Sequence, residues 1–162
     1  MQARLEPLRP DQYRRVAEWA HGPQENADWD DYAAYMDDPT RTTRGIYLGS
    51  ELVGCLWIEP VGRNMAECHI ATARHKVHPQ ALAQVLLKTA GDLFAQGHTA
   101  LVARIPRKTR AAARLAIRCG LREWGHTPTM RYFILTKQRY ERHAQQTTQA
   151  DADAVSEPAA AG

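Results

Sequence analysis

Within the run "MAECHIAT", Glu67 and His69 are side chains of the kind that move protons. Carboxylates and imidazoles are common general bases, and imidazole as a side-chain type titrates near neutrality. In an extended strand, side chains two apart share a face, so the pair could act on one proton from one side of a sheet. The same two residues would equally serve as the polar lining of that face.

"TARHKVHPQALAQVLL", Thr72 to Leu87, follows at once. A strand-like run gives way there to helical spacing, with Pro79 near the helix start. A helix N-terminus offers free backbone N–H groups and a dipole that favours anions. Arg74, His75, Lys76, Val77, His78 and Gln80 stand at this junction, where phosphate contact is the natural chemistry. His75 and His78, with Cys68 or His69, are of zinc-ligand type. The chain has no CxxC pair and no second ligand cluster at zinc spacing, so no metal is expected. Cys55, Cys68 and Cys119 are scattered and odd in number, which points to reduced thiols. Cys119 precedes a helix-ending glycine and reads as a small buried residue. No nucleophile elbow and no Walker-type phosphate loop is present.

Charge is unevenly spread. Residues 1–96 carry a net −3, residues 97–143 a net +9 and residues 144–162 a net −3. Arg110, Arg114 and Arg118 recur every four residues and form one stripe on a helix, with Arg107, Lys108 and Arg122 beside it. That stripe suits a polyanion, or simply a solvated helix face. Its counterpart is acidic: Glu25, Asp28, Asp30, Asp31, Asp37 and Asp38 occur with no Lys or Arg between them. Trp29, Tyr32 and Tyr35 are interleaved, a combination suited to a cationic amine or to inward packing under solvated carboxylates.

These residues need elements to hold them. "ARLEPL" reads as a first strand, and "RPDQYRRVAEWA" and "ADWDDYAAYM" as helices. "RGIYLG" and "ELVGCLWIEP" form a hairpin across Gly49 and Ser50. "MAECHIAT" is a fourth strand and "HPQALAQVLLKTAGDLFAQG" a helix. "TALVARI" is a fifth strand and "KTRAAARLAIRCG" a helix closed by Gly120, and "LREWGH" and "MRYFILTK" are two last strands. The fold class is therefore α/β, a mixed sheet of about seven strands with helices on both faces, holding an antiparallel meander and a crossover. Residues 1–143 form the domain. Residues 144–162 have almost no large apolar side chains, and a disordered tail is expected there.

This order resembles the GNAT (Gcn5-related N-acetyltransferase) family, over residues 3–137. The family's fourth strand leads into Arg/Gln-x-x-Gly-x-Gly/Ala, whose amides cradle the pyrophosphate of acetyl-coenzyme A. In the matching register Arg74 is the family's arginine, Lys76 a frequent basic residue, and "QAL" from Gln80 the start of the helix. Val77 and Pro79 hold the two glycine or alanine positions, and Pro79 has no N–H to donate. A second pattern, Asn-x-x-Ala-x-x-x-Tyr-x-x-x-Gly-Phe, matches at Ala112, Gly120 and Leu121, with Thr109 at the asparagine and Ala116 at the tyrosine. The resemblance implies an acetyl-coenzyme A-dependent N-acetyltransferase acting on an amine. Glu67 or His69 is the base, Arg74, His75, Lys76, Val77, His78, Gln80 and Thr109 line the cofactor site, and the usual tyrosine acid is missing. It equally resembles small GNAT-like proteins of tailed phages, which implies a non-catalytic virion or head-assembly protein with a degenerate site and a protein partner.

No apolar stretch reaches the length of a membrane span, and "MQARLEPLRPDQ" lacks the core of a signal peptide. A cytoplasmic protein with no membrane partner is expected, virion-associated under the phage reading. Edge strands of the last hairpin can pair across a homodimer.

Overall fold

Twelve regular elements follow one another in the order expected, with one helix added at the end. They are β1 (Ala3–Pro7), α1 (Tyr13–His21), α2 (Trp29–Asp37), β2 (Thr42–Leu48), β3 (Glu51–Pro60), β4 (Met65–Thr72), α3 (Pro79–Ala95), β5 (Ala100–Pro106), α4 (Arg110–Arg118), β6 (Arg122–His126), β7 (Met130–Thr136) and α5 (Lys137–Ser156). The computed structural model describes residues 2–73 and 76–156, with side chains to residue 150.

The strands make one seven-stranded sheet in the order β1-β2-β3-β4-β5-β7-β6. β4 and β5 are parallel, and every other neighbouring pair is antiparallel. Gly49 closes the β2–β3 hairpin at φ 59°, a left-handed conformation that glycine adopts without a Cβ clash. β3 is buried along almost its whole length, as a strand covered on both faces should be.

Two helical layers cover the sheet. On one face α1 and α2 bring Tyr13, Val16 and Met36 onto Cys55, Trp57 and Ala71. On the other, α3 packs Leu82, Val85 and Phe94 over Ile46, Leu56, Ile58, Leu101 and Leu135. α4 sets Ala113 and Ala116 against Ile105 and Phe133 on that second face. All three cysteines stay free thiols, and burial pushes each up to about 12, so none is a thiolate near neutrality.

The C-terminal stretch differs from expectation. Composition places disorder from residue 144, but α5 continues to Ser156. Ala and Gln are good helix formers, and the helix propagates from a docked first turn. There the Tyr140 ring lies 5.3 Å from Phe94, and Arg139 Nε donates to the Gly120 carbonyl at 2.6 Å. Residues 144–150 are exposed on every side, so this part of α5 adds nothing to the core. Residues 157–162 lie outside the described residues. No helix among the described residues is long and apolar enough to cross a membrane.

Candidate active site

The sheet splits between its two parallel strands. β4 pairs with β5 only at Met65↔Ala100, Ala66↔Leu101 and Glu67↔Val102. Beyond that point β4 stays with β3 as far as Thr72, and β5 stays with β7 as far as Pro106. Strand edges from Cys68 and from Ala103 onward therefore face a widening gap, and Glu67 stands at its apex.

Register builds a polar cluster there, on the α1–α2 face. Glu59↔Glu67 and Trp57↔His69 are paired positions, so all four side chains emerge together. His69 stacks on Trp57, centroids 5.4 Å apart and planes at 10°. Its Nε2 lies 3.5 Å from Glu59 Oε2 and 3.8 Å from Glu67 Oε1, and makes no hydrogen bond although the atom is buried. Each carboxylate has its own guanidinium. Arg41 Nε donates to Glu59 Oε1 at 2.5 Å, and Arg104 Nε donates to Glu67 Oε1 at 2.5 Å. Tyr35 OH also donates to Glu59 Oε1, at 2.8 Å. Burial alone would push the Glu59 carboxyl up, but Arg41, Tyr35 and His69 together hold it below the usual carboxylate range. Glu67 is only 4% exposed, and its charge at that depth is matched by Arg104, whose guanidinium is raised above its ordinary value by the same bond.

The chemistry available is proton transfer. An imidazole nitrogen with no partner can take a proton, and two flanking carboxylates stabilise the cation that results. One ligand atom each of Glu59, Glu67 and His69 also lie within 4.8 Å of one another. Both carboxylates already hold a guanidinium, so the protein's own cations fill the role a metal would play.

The helix-start loop looks different from a bare phosphate cradle. α3 begins at Pro79, capped by His78, whose Nδ1 accepts from Gln80 N–H at 3.2 Å. Ala81 and Leu82 N–H both donate to the His78 carbonyl, at 3.0 and 3.2 Å. The first four positions thus comprise one proline and three engaged amides. Val77 packs on the core, His78 and Gln80 are exposed, and Lys76 pairs with Glu51 at the start of β3. Arg74 and His75 lie outside the described residues. Because β4 and β5 are parallel, α3 and α4 start at the same end of the split. That brings Lys76 to Gln80 to the same end as Thr109, which stands at the α4 N-terminus with no side-chain capping bond. Ala116 is buried against the core and brings no hydroxyl to the gap.

Outside the cluster, α1 and α2 enclose a cleft of about 330 Å³, lined by His21, Asp28, Trp29, Asp31, Tyr32 and Tyr35. Asp28 caps α2 by accepting from Asp30 and Asp31 N–H, both at 3.1 Å. Tyr32 stacks on Tyr35, and Tyr35 reaches on to Glu59, so the cleft wall ends at the proton-transfer cluster.

No protein-family model matches the chain, and no curated protein matches it by sequence. Solved structures do. Spermidine N-acetyltransferase SpeG from Vibrio cholerae in complex with CoA and spermine superposes with a TM-score of 0.68 at 14% identity, over 86% of this chain and 98% of that one. A chimera of that enzyme and hSSAT gives 0.73 at 14% identity, over 87% and 99%. A dodecameric form of the V. cholerae enzyme gives 0.70 at 13% identity, over 86% and 96%. The fold is that of the GNAT acetyltransferases.

The GNAT fold explains which expectations meet in space. Glu67 and His69 do share a face, as their spacing requires. Lys76, Val77, His78 and Gln80 form the turn into α3, with Thr109 at the neighbouring helix start. Glu59, Arg41, Arg104 and Trp57 were not singled out from sequence, and Tyr35 was read there only as part of the acidic, aromatic stretch, not as a partner of this cluster. The signal for Glu59 existed: Trp57 and Glu59 alternate along β3 as His69 and Glu67 do along β4. A short turn between the two strands brings the pairs opposite each other.

Proposed function

We propose that the chain is an acetyl-coenzyme A-dependent N-acetyltransferase acting on a cationic amine. One observation carries this reading: the unpartnered His69 Nε2, with Glu67, lies at the apex of the split between β4 and β5. Acetyl-coenzyme A, when bound, supplies the acyl group as a thioester. The free edge of β4 from Cys68 to Thr72 fits a peptide-like arm, which needs extended backbone donors and acceptors. Arg74, His75, Lys76, Val77, His78, Gln80 and Thr109 would surround its phosphates. The α3 amides fit that part less well, because Gln80 N–H is available only when His78 releases it.

The chain's own residues then have separate tasks. His69 takes the proton that an incoming ammonium must lose, and Glu67 and Glu59 stabilise the imidazolium. Arg104 and Arg41 pair with those carboxylates at their depth. The attraction for a cationic acceptor comes from Asp28 and Asp31 in the aromatic cleft, since Glu59 and Glu67 are occupied by Arg41, Arg104 and His69. Spermine is the amine in the V. cholerae complex, which makes polyamines the first acceptors to assay.

The test is a titration with acetyl-coenzyme A. Saturation at a hundred times the dissociation constant is expected to stabilise the folded chain by about 2.7 kcal/mol, read as a thermal shift. No shift at millimolar cofactor would sink the enzyme. Binding without turnover on a panel of amines would leave a non-catalytic role.

That role is the second reading, a GNAT-like structural or assembly protein of the phage virion type. The engaged amides of α3 and the buried Ala116 favour it. The exposed Arg110, Arg114 and Arg118 would then offer a face to a polyanion. Co-purification with particles tests it, and a chain found only free and dispensable for assembly would count against it.

A further inference from the structure

Two buried side-chain nitrogens among the described residues make no hydrogen bond, and they belong to stacked rings: Trp57 Nε1 and His69 Nε2. Their needs are opposite. An indole N–H can only donate, whereas an imidazole nitrogen without its proton can only accept. Both nitrogens lie by the Glu59 carboxylate. His69 Nε2 is 3.5 Å from Oε2. On the Oε1 side stands the Tyr35 hydroxyl, donating at 2.8 Å. Burial and Glu59 raise that hydroxyl, and the Trp57 N–H acts on it in the opposite sense, which puts the indole nitrogen beside the Tyr35 oxygen. No hydrogen bond forms between them. Trp57 is only 8% exposed, so its N–H is taken from water without a replacement, a costly state for a buried donor. Tyr35 is 38% exposed and lines the aromatic cleft, so the cleft reaches this spot at the Tyr35 ring.

We propose that the acceptor is an amine with a hydroxyl on the carbon next to the one bearing nitrogen, an amino alcohol or amino sugar, and that Trp57 selects it. The proposal rests on the N-acetyltransferase reading and deepens it by naming the acceptor class. The nitrogen meets His69 Nε2, the base that an ammonium needs. The hydroxyl takes the place of the Tyr35 hydroxyl: it accepts from Trp57 Nε1–H and donates to Glu59 Oε1. Tyr35 then turns its own hydroxyl to water, which its exposed position allows. Both unmet nitrogens are satisfied by adjacent groups of one molecule, and Glu59 keeps a donor. An ether or ketone oxygen would meet the indole but leave Glu59 without that donor. A simple polyamine, protonated throughout, has donors only and leaves the Trp57 N–H as orphaned as before. Selection of this kind is strong, because a site built to hydrogen-bond a hydroxyl rejects the analogue lacking it.

The test compares two amines that differ by one hydroxyl: propane with an amino group at each end, and the same diamine with a hydroxyl on its central carbon. Calorimetry on the full chain, with and without coenzyme A, reads binding and needs no turnover. The hydroxylated diamine should bind at least about tenfold tighter. Trp57→Phe keeps an aromatic ring against His69 and removes the N–H, and it should bring the two affinities together. Comparing the two differences cancels any effect of the hydroxyl outside this contact. Should Trp57→Phe fail to fold, the wild-type indole N–H resonance of Trp57, assigned through its contacts with the His69 ring, replaces it. That signal should shift with the hydroxylated diamine and not with the plain one. Equal affinities would overturn the proposal, since Tyr35 or water would then be meeting the indole. A preference that survives Trp57→Phe would overturn it, as would an indole signal that both amines move alike, or binding of neither amine. The acetyl-coenzyme A titration fails separately. Turnover without the preference keeps the enzyme and loses this acceptor class, whereas the preference without cofactor binding upholds the amine site and sinks the enzyme.

Discussion

His69 is placed to act by what it lacks. A buried ring nitrogen with no hydrogen bond is costly unless something arrives to use it, and here two carboxylates wait beside it. His69→Gln is expected to lower kcat by about a hundred- to ten-thousand-fold, the usual range for a lost general base. Acetyl-coenzyme A affinity should be unchanged, and an undiminished rate would move the base to Glu67 or water. Pro79 is the opposite case, a donor withheld. Pro79→Ala returns one N–H to the first turn of α3. A charge-assisted bond worth about 1.5–3 kcal/mol should raise coenzyme A affinity by at least about tenfold, measured by calorimetry. Glu67 and His69 were legible in sequence because period two is a local property of a strand. Glu59 was not, because its place beside them depends on a register between two strands. The engagement of the Gln80 amide by His78 was equally hidden, since it depends on one side-chain rotamer.

α2 is tied to the sheet by the packing of Met36 and by a polar clasp of Arg41 and Glu59. Arg41 lies over the Tyr35 ring at 3.7 Å, donates to the Tyr35 carbonyl at 2.8 Å, and reaches Asp38 at 3.2 Å as well as Glu59. Glu59→Gln is expected to cost about 1–2 kcal/mol near neutral pH, seen in urea unfolding. The pH dependence has a definite sign. The folded-state carboxyl is held below its ordinary value, so its contribution is complete above the unfolded value, about 4.3. It disappears as pH falls through the depressed folded value, and wild type and variant should converge in acid. A difference that persists unchanged into acid would mean the clasp acts through packing instead of charge. At the other end of the chain, removing residues 144–162 is expected to change stability by no more than about 0.5 kcal/mol, because the described part of that segment that carries side chains is exposed all round. A larger loss would extend the domain past His143.

The molecule as a whole is electrically polar. Its first 96 residues carry a net −3 and residues 97–143 a net +9. The split in the sheet lies between strands contributed by these two parts. Added salt is therefore expected to weaken the binding of a polyanion to residues 97–143, since exposed charges are screened over about a Debye length. Titration at low and high salt checks this, and salt-independent binding would point to a contact made without these charges.

Element order, the α/β class with helices on both faces, the β2–β3 hairpin and the shared face of Glu67 and His69 all follow from patterns within a few residues of each other. Helical and extended periodicities, glycine turns and proline starts are short-range properties, and they survive being read one segment at a time. The length of α5 was lost to the same method, because a polar Ala- and Gln-rich run can be helix or coil and only its attachment to a docked turn selects helix. The split after Glu67 and the Glu59–His69–Glu67 cluster with its two arginines belong to another order of information. They arise where backbone pairing between distant strands stops, and hydrogen-bond register across the sheet is set by the packing of the whole chain, not by any one stretch of it.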